Sequence, residues 1–134
     1  MKLSHTFIQV HDQDAALAFY RDVIGLKPCV DADMGEWRWL TLTPPEQPDV
    51  QIALCNPIMA RSPEDAVTVR ELLAKGALDG VIFQVDDVDG TFERIRAAGA
   101  EVVQEPIDQP YGVRDCSFRD PSGNQVRFSS GQKG

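Results

Sequence analysis

Cations are scarce in this chain. Its 13 Lys and Arg face 21 Asp and Glu, a formal net charge of −8. A phosphate-binding surface needs clustered Lys and Arg, so this balance argues against nucleic acid and against an anionic membrane surface. Long apolar runs are missing too: no stretch of ~18 hydrophobic residues exists to span a bilayer. The N-terminal residues enter a strand pattern directly, without the marks of a signal peptide. Cysteine is limited to Cys29, Cys55 and Cys116, an odd count with no CxxC spacing. That excludes a disulfide framework and points to reduced thiols in a soluble cytoplasmic protein. No phosphate-binding glycine pattern is present. At 134 residues the chain is one domain's worth, with room for two modules of about 60 residues.

What the chain does have is a repeat. His5-Thr6-Phe7-Ile8-Gln9-Val10-His11-Asp12 is echoed by Gly80-Val81-Ile82-Phe83-Gln84-Val85-Asp86-Asp87, an offset of 75. In both copies an apolar run ends in Gln-Val, passes through acidic residues and enters a helical pattern that stops at a glycine. Those glycines, Gly25 and Gly99, are 74 apart, and with that shift Gln51–Leu54 falls over Gln125–Phe128. Internal repetition decides the fold before any motif does. A site built between the copies should draw on matched positions of each.

Hydrophobic periodicity fills in the elements. Leu3–Val10 reads as a strand, and Asp12 caps a helix that runs to Ile24 and stops at Gly25. Strands are predicted at Lys27–Asp33, Glu36–Thr43 and Val50–Asn56. Ser62-Pro63-Glu64-Asp65 is a strong helix start, and that helix should end at Gly76. The second module repeats the plan with a strand at 79–85, a helix at 87–98, and strands at Glu101–Gln104, Val113–Arg119 and Gln125–Ser129. Asp120-Pro121-Ser122-Gly123-Asn124 supplies a tight turn before the last of these. The tail Gly131–Gly134 is expected to be disordered. The predicted fold is α+β: two βαβββ modules side by side, forming a curved, cup-shaped mixed sheet with the helices outside. Module one covers about 2–56, a linking helix about 62–76, and module two about 78–130, all within one domain of 1–134.

These residues resemble the vicinal oxygen chelate superfamily, which contains glyoxalase, bleomycin-resistance and extradiol dioxygenase proteins. The resemblance is carried by His5, by Ala18-Phe19-Tyr20-Arg21-Asp22-Val23-Ile24-Gly25-Leu26, by Val85-Asp86-Asp87-Val88, and by Asp120-Pro121-Ser122-Gly123-Asn124. It implies that metal-dependent members hold a divalent ion through four side chains in the cup, at the places occupied here by His5, Ala53, Gly80 and Arg127. The repeat pairs the same four places. Only His5 is a ligand type; alanine and glycine lack a donor, and arginine is a fixed cation. An ion of this kind needs about three protein ligands, so no cofactor is expected. Asp79, Glu36 and Glu46 leave open a shifted metal site.

Alternation places Gln51 on the face of Ala53 and Gln84 on the face of Gly80. Arg127, pointing into the cup, needs an anionic partner: a ligand carboxylate or phosphate, or an internal acid such as Glu101 or Glu105. Trp37 and Trp39 share one face of their strand while Arg38 shares the other, so the cup receives either an aromatic wall or a second cation. Tyr111-Gly112 resembles a loop that borders the cavity in relatives. The candidate ligand-binding set is thus Arg127, His5, Gln51, Gln84, Arg38, Trp39 and Tyr111, with His5 the one candidate metal ligand. The expected function is binding of a small organic molecule without the usual metal site, in a homodimer as in most relatives. The alternative is a divalent-metal-dependent lyase, isomerase or dioxygenase with an atypical site around His5. Cys55 and Cys116, in strands with no nearby histidine, read as small hydrophobes rather than nucleophiles.

Overall fold

The structure, a computed structural model, describes residues 1–131; the expectation for the tail concerns residues that lie mostly outside this range. Eight strands form two separate four-stranded sheets. The first contains β1 (His5–Gln9), β2 (Lys27–Asp33), β3 (Arg38–Thr43) and β4 (Gln51–Cys55), in the order β1-β4-β3-β2. The second contains β5 (Val81–Gln84), β6 (Glu101–Asp108), β7 (Arg114–Arg119) and β8 (Gln125–Ser129), in the order β5-β8-β7-β6. Each is mixed: β1 runs parallel to β4 and β5 to β8, while the other neighbours are antiparallel.

The repeat seen in the sequence is a repeat in register. Phe7 lies beside Ala53 in the first sheet, and their counterparts Ile82 and Arg127 lie beside each other in the second. Each first strand is followed by a helix whose N-cap is an aspartate: Asp12 accepts from the backbone of Asp14 and Ala15, and Asp87 from that of Gly90. Helix α1 (Gln13–Ala18) continues over Phe19–Ile24 in the wider π winding, so that Gly25 N donates to Tyr20 O. The widened turn carries Phe19, Tyr20 and Ile24 inward together. Gly25 closes it at φ +98°, a left-handed conformation that glycine adopts without strain. Helix α2 (Pro63–Ala74), capped by Ser62, links the modules, and α3 (Val88–Ala97) repeats α1.

One core serves both sheets. Ile8, Leu40, Leu42, Ile52 and Leu54 from the first join Phe118, Val126 and Phe128 from the second around Tyr20, Phe92 and Ile95 of the helices. The helices therefore back the sheets, and the opposite faces are left as the cup. Strand limits differ from expectation by a residue or two at several ends, with β1 beginning at His5 rather than Leu3 and β5 at Val81 rather than 79; the limits of β3 and β6 differ for local reasons. β3 begins at Arg38 rather than Glu36, after a bend at Gly35-Glu36-Trp37. β6 continues past Gln104 to Asp108, with register shifts on either side of Gln104. As an edge strand it tolerates Pro106, which cannot donate to a ladder.

Candidate ligand-binding site

Period-two alternation on the registered strands sorts every side chain onto the core or the cup. On the first sheet the cup face carries His5, Phe7 and Gln9 of β1, Gln51, Ala53 and Cys55 of β4, and Trp39, Thr41 and Thr43 of β3. The His5 ring lies 5.9 Å from that of Trp39, and Phe7 lies 6.3 Å from the same indole. Trp39 in turn meets Trp37 edge-on at 6.5 Å. Aromatic wall, rather than a cation, is what β3 presents here. Arg38 is on the other face, where its guanidinium grips Asp31 at 2.7 and 2.8 Å and Asp14 at 2.7 Å. This corrects its placement among the cup residues: two carboxylates on the helix side hold it away. Gln51 is oriented by the Thr41 hydroxyl, which donates to its Oε1 at 2.7 Å.

The second sheet carries a polar network. Arg127 Nη1 donates to Gln104 Oε1 at 3.2 Å and lies 3.2 Å from Asp115 Oδ2. Its partner is thus an internal acid on β7 rather than Glu101 or Glu105 of β6; Glu101 pairs with Arg119 instead. Asp115 is 1 % exposed. Its Oδ1 accepts from Gln104 Nε2 at 2.8 Å and Gln109 Nε2 at 2.9 Å, and Tyr111 Oη reaches Oδ2 at 3.5 Å. Burial pushes this carboxyl up, but the Gln109 and Gln104 amides and the Arg127 charge outweigh it and hold the group below the ordinary value. Ile82, Tyr111, Val113, Asp115, Arg127 and Ser129 enclose a cavity of about 220 Å³. Gln84, at the end of β5 beside Gly131, does not line this cavity but the larger one between the modules. Ser117, directly across from Arg127, has the one buried side-chain oxygen without a partner among the described residues.

Sequence reasoning passed over Asp115, Gln104 and Gln109. A signal existed for Asp115: a carboxylate in the middle of an otherwise buried strand requires a partner. A larger cavity, about 580 Å³, lies where the modules meet, lined by Ile24, Leu26, Phe83 and Phe128 with Arg94. Arg94 donates there to the carbonyls of Val23 and Ile24, at 2.7 and 3.4 Å, and Glu46, Gln47, Gln84 and Thr91 are also in the lining.

The four places that hold a divalent ion in metal-dependent relatives do not fit one here. His5 Nδ1 sits 2.9 Å from Ser4 Oγ, Ala53 has no donor, and Arg127 brings a positive charge. Gly80 cannot gain a side chain, because a Cβ there would fall 1.8 Å from the Gln125 carbonyl oxygen. No three His, Cys, Asp or Glu converge among the described residues, Asp79, Glu36 and Glu46 included.

The thiols divide cleanly. Burial pushes Cys55 up to about 11, despite the opposing charge of Arg61, and burial and Asp115 do the same for Cys116; Cys29 is exposed. Iodoacetamide at pH 8 should therefore modify one thiol per native chain and three after unfolding. Mass spectrometry showing early modification at Cys55 or Cys116 would mean those strands open readily.

Two βαβββ modules, joined through one core and each turning a polar and aromatic sheet face outward, define a glyoxalase-type cup. The chain belongs to the Glyoxalase/Bleomycin resistance protein/Dioxygenase superfamily, whose family model matches residues 2–128. It is 31% identical over 128 residues to the uncharacterised protein YurT of Bacillus subtilis strain 168, covering 96% of this chain and 98% of that one. Among solved structures it is similar to UcmS2, with a TM-score of 0.88, 38% identity and 98% of each chain covered. TnmS3, an antibiotic binding protein from Streptomyces sp. CB03234, superposes with a TM-score of 0.74 at 26% identity, over 96% of this chain and 93% of that one. Among the described residues no helix is long and apolar enough to cross a membrane.

Proposed function

We propose that this protein binds a small, flat organic molecule in its cup, without a metal ion, as a cytoplasmic homodimer. The observation that carries this is Arg127: it lines the cavity and is steadied from one side by Asp115 and Gln104. A guanidinium carries five N–H donors, and those not used by Asp115 and Gln104 are available to a ligand. His5, Phe7 and Trp39 on the matched face of the first sheet supply an aromatic wall, and Gln51 and Gln84 supply amides. The similarity to an antibiotic binding protein supports the same reading.

Pairing with a second copy is part of the same reading. A cavity of about 220 Å³ is small beside the ~300–1,000 Å³ typical of ligand sites. Edge strands β1 and β5 each lack a neighbour on one side, and beside them Phe7 and Ile82 stand 56 % and 66 % exposed. These two residues occupy the same position of the repeat. Covering such edges is the usual reason for pairing, and a partner's first sheet laid against this second sheet would complete the cup.

The test is fluorescence titration with 2-naphthamide, a neutral flat aromatic with one carbonyl acceptor, alongside sedimentation equilibrium. Saturable binding near one probe per dimeric cup is expected, weakened at least about tenfold in Arg127→Glu. Unchanged affinity would remove Arg127 from the account. A monomer at micromolar concentration that still binds would remove the shared cup.

A further inference from the structure

We infer that Asp115 sets the charge specificity of the cup: by cancelling Arg127 it makes the site select uncharged hydrogen-bond acceptors and reject carboxylates and phosphates. This rests on the reading of the cup as an organic-ligand site and names the class of ligand it takes.

The argument starts from counting charges on the cup face of the second sheet. Arg127 and Asp115 share that face, 3.2 Å apart, and the ion pair is mostly shielded from water, with side-chain exposures of 22 % and 2 %. Neighbouring cations do not alter the balance. Arg114 lies on the opposite face with Asp89 and Asp108, and Arg119 is held by Glu101 and the Gly123 carbonyl. The cup therefore offers directional N–H donors with no net positive charge behind them.

Asp115 is built to stay ionised, because three side chains besides Arg127 donate or point to it: Gln104, Gln109 and Tyr111. Both amides bind one oxygen, leaving the other to the arginine and, at 3.5 Å, the Tyr111 hydroxyl. Gln104 also accepts from Arg127, so it fixes the separation of the two charges. An anionic ligand reaching the guanidinium would be brought close to this carboxylate in a poorly solvated space, where like charges repel strongly. A carbonyl or hydroxyl oxygen meets the same donors without that cost.

The experiment compares 2-naphthamide with 2-naphthoate, which share a skeleton and an acceptor carbonyl but differ by one negative charge. Wild-type protein should bind the amide more tightly. In Asp115→Asn the uncancelled arginine should shift the ratio of the two dissociation constants toward the carboxylate by about tenfold or more. Arg127→Gln leaves the carboxylate uncancelled and should shift it the other way, which keeps the test alive if Asp115→Asn fails to fold. A ratio unchanged within twofold in both variants, with circular dichroism showing native fold, overturns the role of Asp115 alone. Failure of both probes to bind wild-type protein overturns the cup reading itself, and this inference with it.

Discussion

Asp120→Ala should cost about 3–5 kcal/mol of stability and lower the melting temperature by roughly 10–20 °C. Asp120 is buried and fully engaged. Its Oδ1 accepts from the backbone N–H groups of Ser122 and Asn124, both at 2.9 Å, and Oδ2 accepts from Tyr20 Oη at 2.7 Å and Asn124 Nδ2 at 3.0 Å. Alanine would orphan four donors at once. Three of these bonds lie within the turn, but the turn is also stitched to the first module. Asn124 Nδ2 donates to Gln9 O at 2.7 Å, and the Ser122 hydroxyl accepts from His11 N at 2.9 Å. Tyr20→Phe removes only one bond and should cost ~1–2 kcal/mol. Tyr20 stays protonated throughout: burial, then the Asp120 charge and hydrogen bond, raise its hydroxyl well above the usual phenol range. Thermal melts decide the matter. If Asp120→Ala falls no further than Tyr20→Phe, the carboxylate is not what holds the turn to the helix.

That turn also marks what a sequence conveys and what it withholds. Pro121 and Gly123 announce a reversal at 120–124 because their backbone preferences are local. Nothing local announces that the aspartate reaches Tyr20, 100 residues away. The same division holds elsewhere. The repeat carries the two sheets and their matched registers, since each offset fixes which strand plays which part. Alternation separates Arg38 from Trp39 on β3, but which of them enters the cup depends on what packs behind the sheet, and there Asp14 and Asp31 take the arginine. Arg127 needed an anion; that the anion is Asp115 follows from the pairing of β7 with β8, which places Asp115 two residues from the Ser117–Arg127 pair on the same face. The extension of β6 to Asp108 was not legible, because its register slips twice and an edge strand shows little periodicity. Pairing between distant strands, rather than propensity, built the site.

Gly80 carries the second large effect. A Cβ at this position would meet the Gln125 carbonyl oxygen at 1.8 Å and its carbon at 2.8 Å. Both atoms are backbone of the neighbouring strand, so neither can swing aside. Gly80→Ala should therefore cost more than about 3 kcal/mol, in the range that marks overpacking of a rigid contact. Gly99→Ala provides the contrast: nothing lies within 4 Å of its Cβ, and only the strain of φ +95° opposes it, a cost of ~1–2 kcal/mol. The consequence reaches the chemistry. Restoring a ligand type by Gly80→His would force β5 from β8 before any ion could be held, and β5 has no other strand to lean on. Gly80→His is expected to melt at least about 10 °C below wild type and to retain no more Mn, Co, Ni or Zn after exchange into metal-free buffer. A stable variant that kept one equivalent would show that β5 can move outward, and that residue type alone separates this cup from those of the metal-dependent members. Loss of stability without metal would place the difference in the backbone, where no single substitution at His5, Ala53 or Arg127 could reverse it.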